Sequence, residues 1–338
     1  MKYFSLLFIV MVGLAAKGQN QPGSELSTNY FDFQINYWVN LHHFLFQRAD
    51  SSQLQKLNED GLSFLEIGEG ELEADLSLSE KRILNEAIQY YRDSLVTKSL
   101  RRDLNELRLW LSEQNESEKI SDISFGRNYT EIINKVSPVY RAHYWDLHKS
   151  HNLQILSGHI TTIDGIETRV INQMEELSLT PWPDSTKVRV DISVYANWAG
   201  AYTTSTPEMN IIISSIDPSK VTSAFVETVL HEGSHLLYLY GESPVRERIF
   251  YKSEELEMDF PRNLWHASMF YLCGRATQDA LAELEIEHEL IMDERNIFCK
   301  YNTQKFREVN EEYFNRIIDM DEMVEQLLND LKNISEQK

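Results

Sequence analysis

The sequence predicts an α+β protein in which helix predominates, and three observations carry that expectation. Most of the first 180 residues repeat their apolar side chains at helical spacing, strict two-residue alternation appears at residues 187–194, and helical periodicity returns beyond Asp217. The layout is helices, then a small sheet, then helices. A hydrophobic fraction of 42% over 338 residues, with 16 Tyr, 15 Phe and 6 Trp, supplies a sizeable core for one large domain or two joined ones. The formal net charge of −21 is spread through Glu-rich helical stretches. Such a surface repels phosphate backbones, so nucleic acid is not an expected partner.

Taken in order, residues 1–18 carry the pattern of a secretory signal peptide. Lys2 supplies the positive start, residues 3–14 are apolar, and Ala15, Ala16 and Gly18 supply small residues for cleavage near Gln19. The apolar run is short for a membrane span, and no cysteine follows it to carry a lipid. The mature chain is therefore expected to be secreted or periplasmic, with no stable membrane insertion. Residues 20–28 form a polar leader, and 29–48 read as a helix with Trp38, Leu41, Phe44 and Leu45 on one side. A Gly-containing polar break at 49–78 precedes a long helix at 79–112. A loop at 114–127 then leads into helical periodicity over 129–177, interrupted at Pro138 and stopped by Thr180-Pro181-Trp182-Pro183. This divides the mature chain into a helical N-terminal region, 19–180, and a metal-binding catalytic region, 181–338.

In the second region residues 187–194 and 209–213 read as strands, with the small, polar residues 197–206 between them as a turn or active-site rim. Asp217-Pro218 is a helix start, and Gly241 ends the helix that follows. Pro261 opens another helix through Leu264, Phe270, Leu272 and Leu281, and residues 303–332 form an amphipathic one. There are two cysteines, Cys273 and Cys299. Export would permit a disulfide between them, but two cysteines make no disulfide framework and no bridge is expected.

The helix after Asp217 contains His231-Glu232-Gly233-Ser234-His235. Spacing of i and i+4 puts both imidazoles on one helical face, one turn apart, where both reach a single cation. Glu232 stands beside them, placed to take a proton from water activated by zinc rather than to bind the metal. The surrounding Phe225, Val226, Val229, Leu230, Leu236 and Leu237 are apolar, and ionisable groups in such a helix need a buried partner. Glu227, one turn earlier, either orients His231 or is an exposed helix residue.

These residues resemble the HExxH helix of the zincin superfamily of metallopeptidases. The resemblance covers that helix and, more loosely, the strands before it and the helix after it, but not the first 180 residues. It implies a zincin-like catalytic domain, bound Zn2+, Glu232 as catalytic base, and a peptide or protein substrate. By the same analogy the strand before the helix, residues 209–214, would hold extended substrate. Tyr238 and Gly241 stand where the metzincin branch carries glycine and histidine, so that branch is excluded. The chain is gluzincin-like, of an unassigned branch: the spacing from His235 to Glu254 suits one aminopeptidase family, whose other substrate-binding motif is missing.

Catalytic zinc usually takes three protein ligands. His266 is the expected third, because it lies on the next apolar helix, in Leu264-Trp265-His266-Ala267. Glu254 and Glu255 are the alternatives, in an acidic run with the look of a solvated face. Tyr202 and Tyr271 are the candidates for stabilising an oxyanion, although Tyr271 is about 140° from the His266 face of its helix. His42, His43, His143, His148, His151 and His159 read as structural or cleft-lining, and His288, among acidic neighbours, as exposed. Two other functions remain open on the same residues: a zinc-stabilised binding or scaffold module without activity, which would have no use for Glu232, and a zinc hydrolase acting on a non-peptide amide. Oligomeric state is not legible.

Overall fold

In the computed structural model, which describes residues 26–183, 187–239 and 243–336, the chain opens with strand rather than helix. Strands β1 (Leu26–Ser27) and β2 (Phe31–Gln34) precede helices α1 (Tyr37–Ala49), α2 (Ser52–Glu59), α3 (Glu69–Asp75), α4 (Leu78–Ser94), α5 (Asn105–Ser112) and α6 (Arg127–Tyr140). A π-helical turn (Arg141–Trp145) joins α6 to the long α7 (Asp146–Ser178). Strands β3 (Val188–Ser193), β4 (Ala201–Thr204) and β5 (Asn210–Ser214) follow, then a 3-10 turn (Pro218–Val221) and α8 (Ala224–Leu239). The remainder is helical: α9 (Pro244–Glu255), α10 (Leu264–Ala282), α11 (Ile291–Glu294), α12 (Gln304–Phe314) and α13 (Met320–Glu336). This is the expected α+β architecture dominated by helix.

Several boundaries differ from those expected, each for a local reason. The stretch 29–48 begins as a strand because Phe31 and Phe33 are buried on one face and pair alongside Val188 and Val190. The helix starts only after Asn36, whose side chain accepts from the Val39 amide. The polar break at 49–78 holds α2 and α3. The helix expected over 79–112 is two, the first opened by a reciprocal capping box between Ser77 and Glu80 and the second by the turn at 95–104. Pro138 is tolerated inside α6, and a wide π turn follows it at Arg141–Trp145. Residues 1–18 and Gly241 lie outside the described residues. Among those described, no helix is long and apolar enough to cross a membrane.

The strands form one mixed sheet in the order β1-β2-β3-β5-β4. Pairs β2–β3 and β3–β5 are parallel, while β1 and β4 lie antiparallel at the two edges. Segments from both sides of residue 180 therefore build the same sheet. Both faces are covered, so β3 is buried along nearly its whole length even where its residues alternate apolar and polar, and β5 is buried throughout. One face, through Phe31, Val190, Ile211 and Ile213, packs on α7, α8 and α10. The other, through Val194, Tyr202 and Ile212, meets α1 and the α4–α6 layer. Ile211, Ile212 and Ile213 thus alternate between two cores, as period-two geometry requires.

The sheet also sets the inner residue of the histidine motif. A Cβ added at Gly233 would lie 2.7 Å from Cε1 of Phe31 and 2.8 Å from its Cζ, and Phe31 is itself buried against Trp182. Gly233→Ala is expected to destabilise the fold by about 1–3 kcal/mol through overpacking. Thermal unfolding followed by circular dichroism would show this as a Tm lower by a few degrees. An unchanged Tm would mean that the Phe31 ring moves aside freely.

Candidate metal centre

Helix α8 owes its position to the segment that feeds it. Asp217 accepts from the Ser219 amide at 3.0 Å and its hydroxyl at 2.8 Å, fixing the 3-10 turn from which α8 starts. Phe225, Val226, Val229, Leu230 and Leu237 are fully or almost fully buried and press α8 into the core between the sheet, α7 and α10. That burial carries His231, Glu232 and His235 inward with it, leaving them 5%, 8% and 6% exposed.

Helix α10 brings His266 to the same place from its first turn. The His231 and His266 rings stack with 5.3 Å between centroids, and their Nε2 atoms are 3.4 Å apart. One ligand atom from each of His231, His235 and His266 lies within 4.8 Å of the others. Tetrahedral zinc with Zn–N bonds of about 2.0–2.1 Å holds its nitrogens about 3.4 Å apart. The closest pair already matches that spacing, and the widest exceeds it by little more than ~1 Å. The cluster can therefore hold a metal ion.

Its electrostatics suit that use. Burial lowers His231 and His235 well below the ordinary histidine range, and lowers His266 to about 4. All three rings are neutral, as nitrogen ligands must be. Apolar rings enclose them: Phe270 lies 4.2 Å from His231 and Phe298 lies 4.9 Å from His266, centroid to centroid. The Nδ1 atoms of His231 and His235 are buried without a hydrogen-bond partner.

Glu232 sits beside the cluster, its Oε2 3.8 Å from His235 Nε2. Thr203 on β4 holds it in place, with the threonine hydroxyl 2.5 Å from that carboxylate oxygen and 2.9 Å from the Glu232 carbonyl. Burial pushes the Glu232 carboxyl up to about 7, against the pull of the Thr203 hydrogen bond and the charges of Lys220 and Arg101.

The other candidates sit elsewhere. Glu254 and Glu255 are exposed on α9, where Glu255 pairs with Lys252 at 3.0 Å. Tyr202 neighbours Thr203 but points to the opposite face, its hydroxyl 3.0 Å from His43 Nε2; strand alternation separates the two residues. Tyr271 donates to Glu311 at 2.8 Å, away from the histidines. Neither tyrosine hydroxyl is turned to the histidine cluster. Glu227 neither orients His231 nor faces solvent: it is buried, with His288 Nε2 at 2.6 Å and the Ile291 amide donating at 3.0 Å. His288, expected to be exposed, is buried by that contact.

The N-terminal histidines are structural. His42 bonds Tyr91, His43 bonds Val39 and Tyr202, His143 bonds Glu80, His148 bonds Tyr140 and Glu69, His151 bonds Ser215, and His159 bonds Lys220. Cys273 and Cys299 are unbridged.

The strand expected to hold substrate is also displaced. β5 is paired on both sides, by β3 and β4, and has no free edge, whereas β4 is the edge strand. Sequence reading missed β4 and with it Thr203, because residues 197–206 are small and polar. The run Tyr202-Thr203-Thr204, aromatic then β-branched, was the available signal. No protein-family model matches the chain, and comparison with curated proteins and with solved structures finds no match.

Proposed function

We propose that this chain is an exported zinc metallohydrolase of zincin-like architecture that cleaves peptide bonds, with His231, His235 and His266 as metal ligands and Glu232 as general base. The observation that carries this reading is the convergence of three imidazoles, two buried and one half-buried, beside a carboxylate clamped by Thr203. A purely structural metal site has no use for that carboxylate.

A bound divalent cation supplies Lewis-acid polarisation of the substrate carbonyl and acidifies water. Glu232 takes the proton from the attacking water at Oε1 or Oε2 and returns it to the leaving nitrogen. Thr203 fixes the rotamer in which it does so. Strand β4 orients the substrate. The Ser214 amide donates to the Gly200 carbonyl at 2.8 Å, and ladder alternation from that pair turns the peptide groups of Ala201 and Thr203 away from β5, along the free edge. An extended peptide can add there as one more strand, beside the carboxylate that Thr203 holds. Trp265, Phe270 and Phe298 keep bulk water from the histidines.

Digestion of degenerate peptide pools tests the reading. Cleavage that stops on chelation and returns with zinc supports it. A zinc-loaded chain that cleaves no pool would exclude peptides as its substrates. The clamp has its own expected effect: Thr203→Val leaves a buried carboxylate oxygen unpaired, which costs about 1–3 kcal/mol. Turnover should fall roughly tenfold or more while zinc content is unchanged. Wild-type turnover in Thr203→Val would detach the threonine from the mechanism.

A further inference from the structure

The three clustered histidines occupy only one end of the α8–α10 pair. His266, in the first turn of α10, meets His231 and His235, while Gly274, two turns further on, faces Glu227, one turn before His231 on α8. The two helices therefore run antiparallel. Beyond Ala282 the chain turns back over the start of α8, and this return segment is firmly held. The Ile286 amide donates to the Leu281 carbonyl at 3.0 Å, and the Gln278 side chain donates to the His288 carbonyl at 2.7 Å. Leu290 and Ile291 anchor its end in the core.

A second group of reactive side chains meets there. Ser223 Oγ lies 2.9 Å from His288 Nδ1, and His288 Nε2 lies 2.6 Å from Glu227 Oε2. The Ile291 amide donates to the same carboxylate oxygen at 3.0 Å. A carboxylate only accepts, so it keeps the imidazole proton on Nε2 and leaves the Nδ1 lone pair facing the Ser223 hydroxyl. The other acceptor near that hydroxyl, the Glu287 carbonyl, is more distant at 3.3 Å. Hydroxyl, imidazole and carboxylate are thus linked in the order that activates a serine. The Glu227 and His288 side chains are 0% and 1% exposed, whereas Ser223 is half-buried and follows the exposed Val221 and Thr222. Only the hydroxyl end of the relay comes to the surface. Glu227 Oε1 is buried with no hydrogen-bond partner among the described residues, against Gly274, where a Cβ would lie 2.9 Å away. A buried carboxylate with one oxygen unpaired is costly, and fastening a loop to a helix does not require one; orienting an imidazole base does.

We propose that Ser223, His288 and Glu227 form a second reactive centre that hydrolyses acyl esters, with Ser223 as nucleophile, His288 as base and Glu227 positioning His288. Ser223 precedes His231 by eight residues, roughly 12 Å along a helix axis, so this centre shares no reacting atom with the metal cluster. As Ser223 Oγ bonds the acyl carbon, its proton passes to His288 Nδ1, and the imidazolium returns it to the departing alkoxide. Water then attacks the acyl-serine and gives a proton to the same nitrogen, which restores it to Ser223 Oγ as the acid leaves. The balance is ester plus water to acid plus alcohol. Glu285, Glu287 and Glu289 are exposed along the segment that carries His288. Their charge favours neutral and cationic esters and repels anionic ones.

The test treats the full, zinc-loaded chain with diisopropyl fluorophosphate, in the Glu232→Gln form so that the metal centre supplies no base, and maps adducts by peptide mass spectrometry. Attack forms the Ser223 Oγ–P bond, breaks P–F and releases fluoride, while the serine proton passes through His288 to solvent. Ser223 should be labelled at least about 10²-fold faster than an exposed serine outside the group, such as Ser121. His288→Gln should bring Ser223 down to that background. Glu227→Gln, which keeps the buried volume, should slow labelling at least about tenfold, in the rate of bond formation rather than in reagent affinity, with the circular dichroism spectrum unchanged. In the same Glu232→Gln chain p-nitrophenyl acetate should turn over, its anionic hemisuccinate counterpart more slowly, and Ser223→Ala should abolish both. Labelling of Ser223 no faster than Ser121, which needs none of the triad variants to observe, would overturn the proposal. So would ester turnover that survives Ser223→Ala. Either result leaves the metal centre standing.

Discussion

Glu232→Gln is expected to reduce peptide hydrolysis by about 10²- to 10⁴-fold or more, the contribution a positioned general base makes. The substitution keeps shape and volume, and the amide oxygen can still accept the Thr203 hydroxyl that now lies 2.5 Å from Oε2. What it removes is the capacity to take a proton from water. Because Glu232 is buried, an uncharged side chain there costs the fold nothing in desolvation, so Tm should be equal to or above that of wild type. Zinc content should be unchanged, since Glu232 is not among the three residues whose ligand atoms cluster. Kinetics, metal analysis and thermal unfolding on one preparation separate these effects. Full activity in the amide variant would remove Glu232 from the mechanism.

His266→Ala is expected to have the largest effect on metal binding, matched by His231→Ala and His235→Ala. If the roughly 10–16 kcal/mol of a four-ligand structural zinc site is shared equally, one ligand is worth about 3 kcal/mol, or at least about 10²-fold in affinity. Chelator competition at fixed pH measures this without reference to activity. A second readout is stability, because zinc at about 1,000 times its Kd adds about 4 kcal/mol to the folded state. Wild type should therefore gain Tm on zinc addition, and the three alanine variants should not. Glu254→Ala and Glu255→Ala should behave as wild type, both side chains being exposed on α9 away from the cluster. Zinc affinity that survives loss of His266 but falls with Glu254 would move the third ligand to the acidic run.

The centre was more legible than the cleft around it. His231 and His235 are related by one helical turn, so a local pattern suffices, and the apolar context of His266 distinguished it from the solvated Glu254 and Glu255. The features missed are those that depend on pairing distant segments. Strand β2 is four residues long and merges without a turn signal into α1, so its alternation is overrun by helical periodicity. Strand β4 looks like a polar rim because its polar residues serve the site and the buried layer beneath it. The one-residue difference between Tyr202 and Thr203, which sends one to His43 and the other to Glu232, requires knowing the face of a strand that had not been recognised. Glu227 and His288 are separated by a helix and a loop, and nothing local to either announces that they satisfy each other.

Metal analysis of the purified chain by inductively coupled plasma mass spectrometry, before and after dialysis against chelator and reloading with zinc, bears most directly on the convergence of the three histidines. The predicted result is about one zinc per chain, lost and recovered on reloading, and absent from the His231→Ala, His235→Ala and His266→Ala proteins. A folded wild-type chain that takes up no zinc, or a His266→Ala chain that keeps a full equivalent, would contradict it.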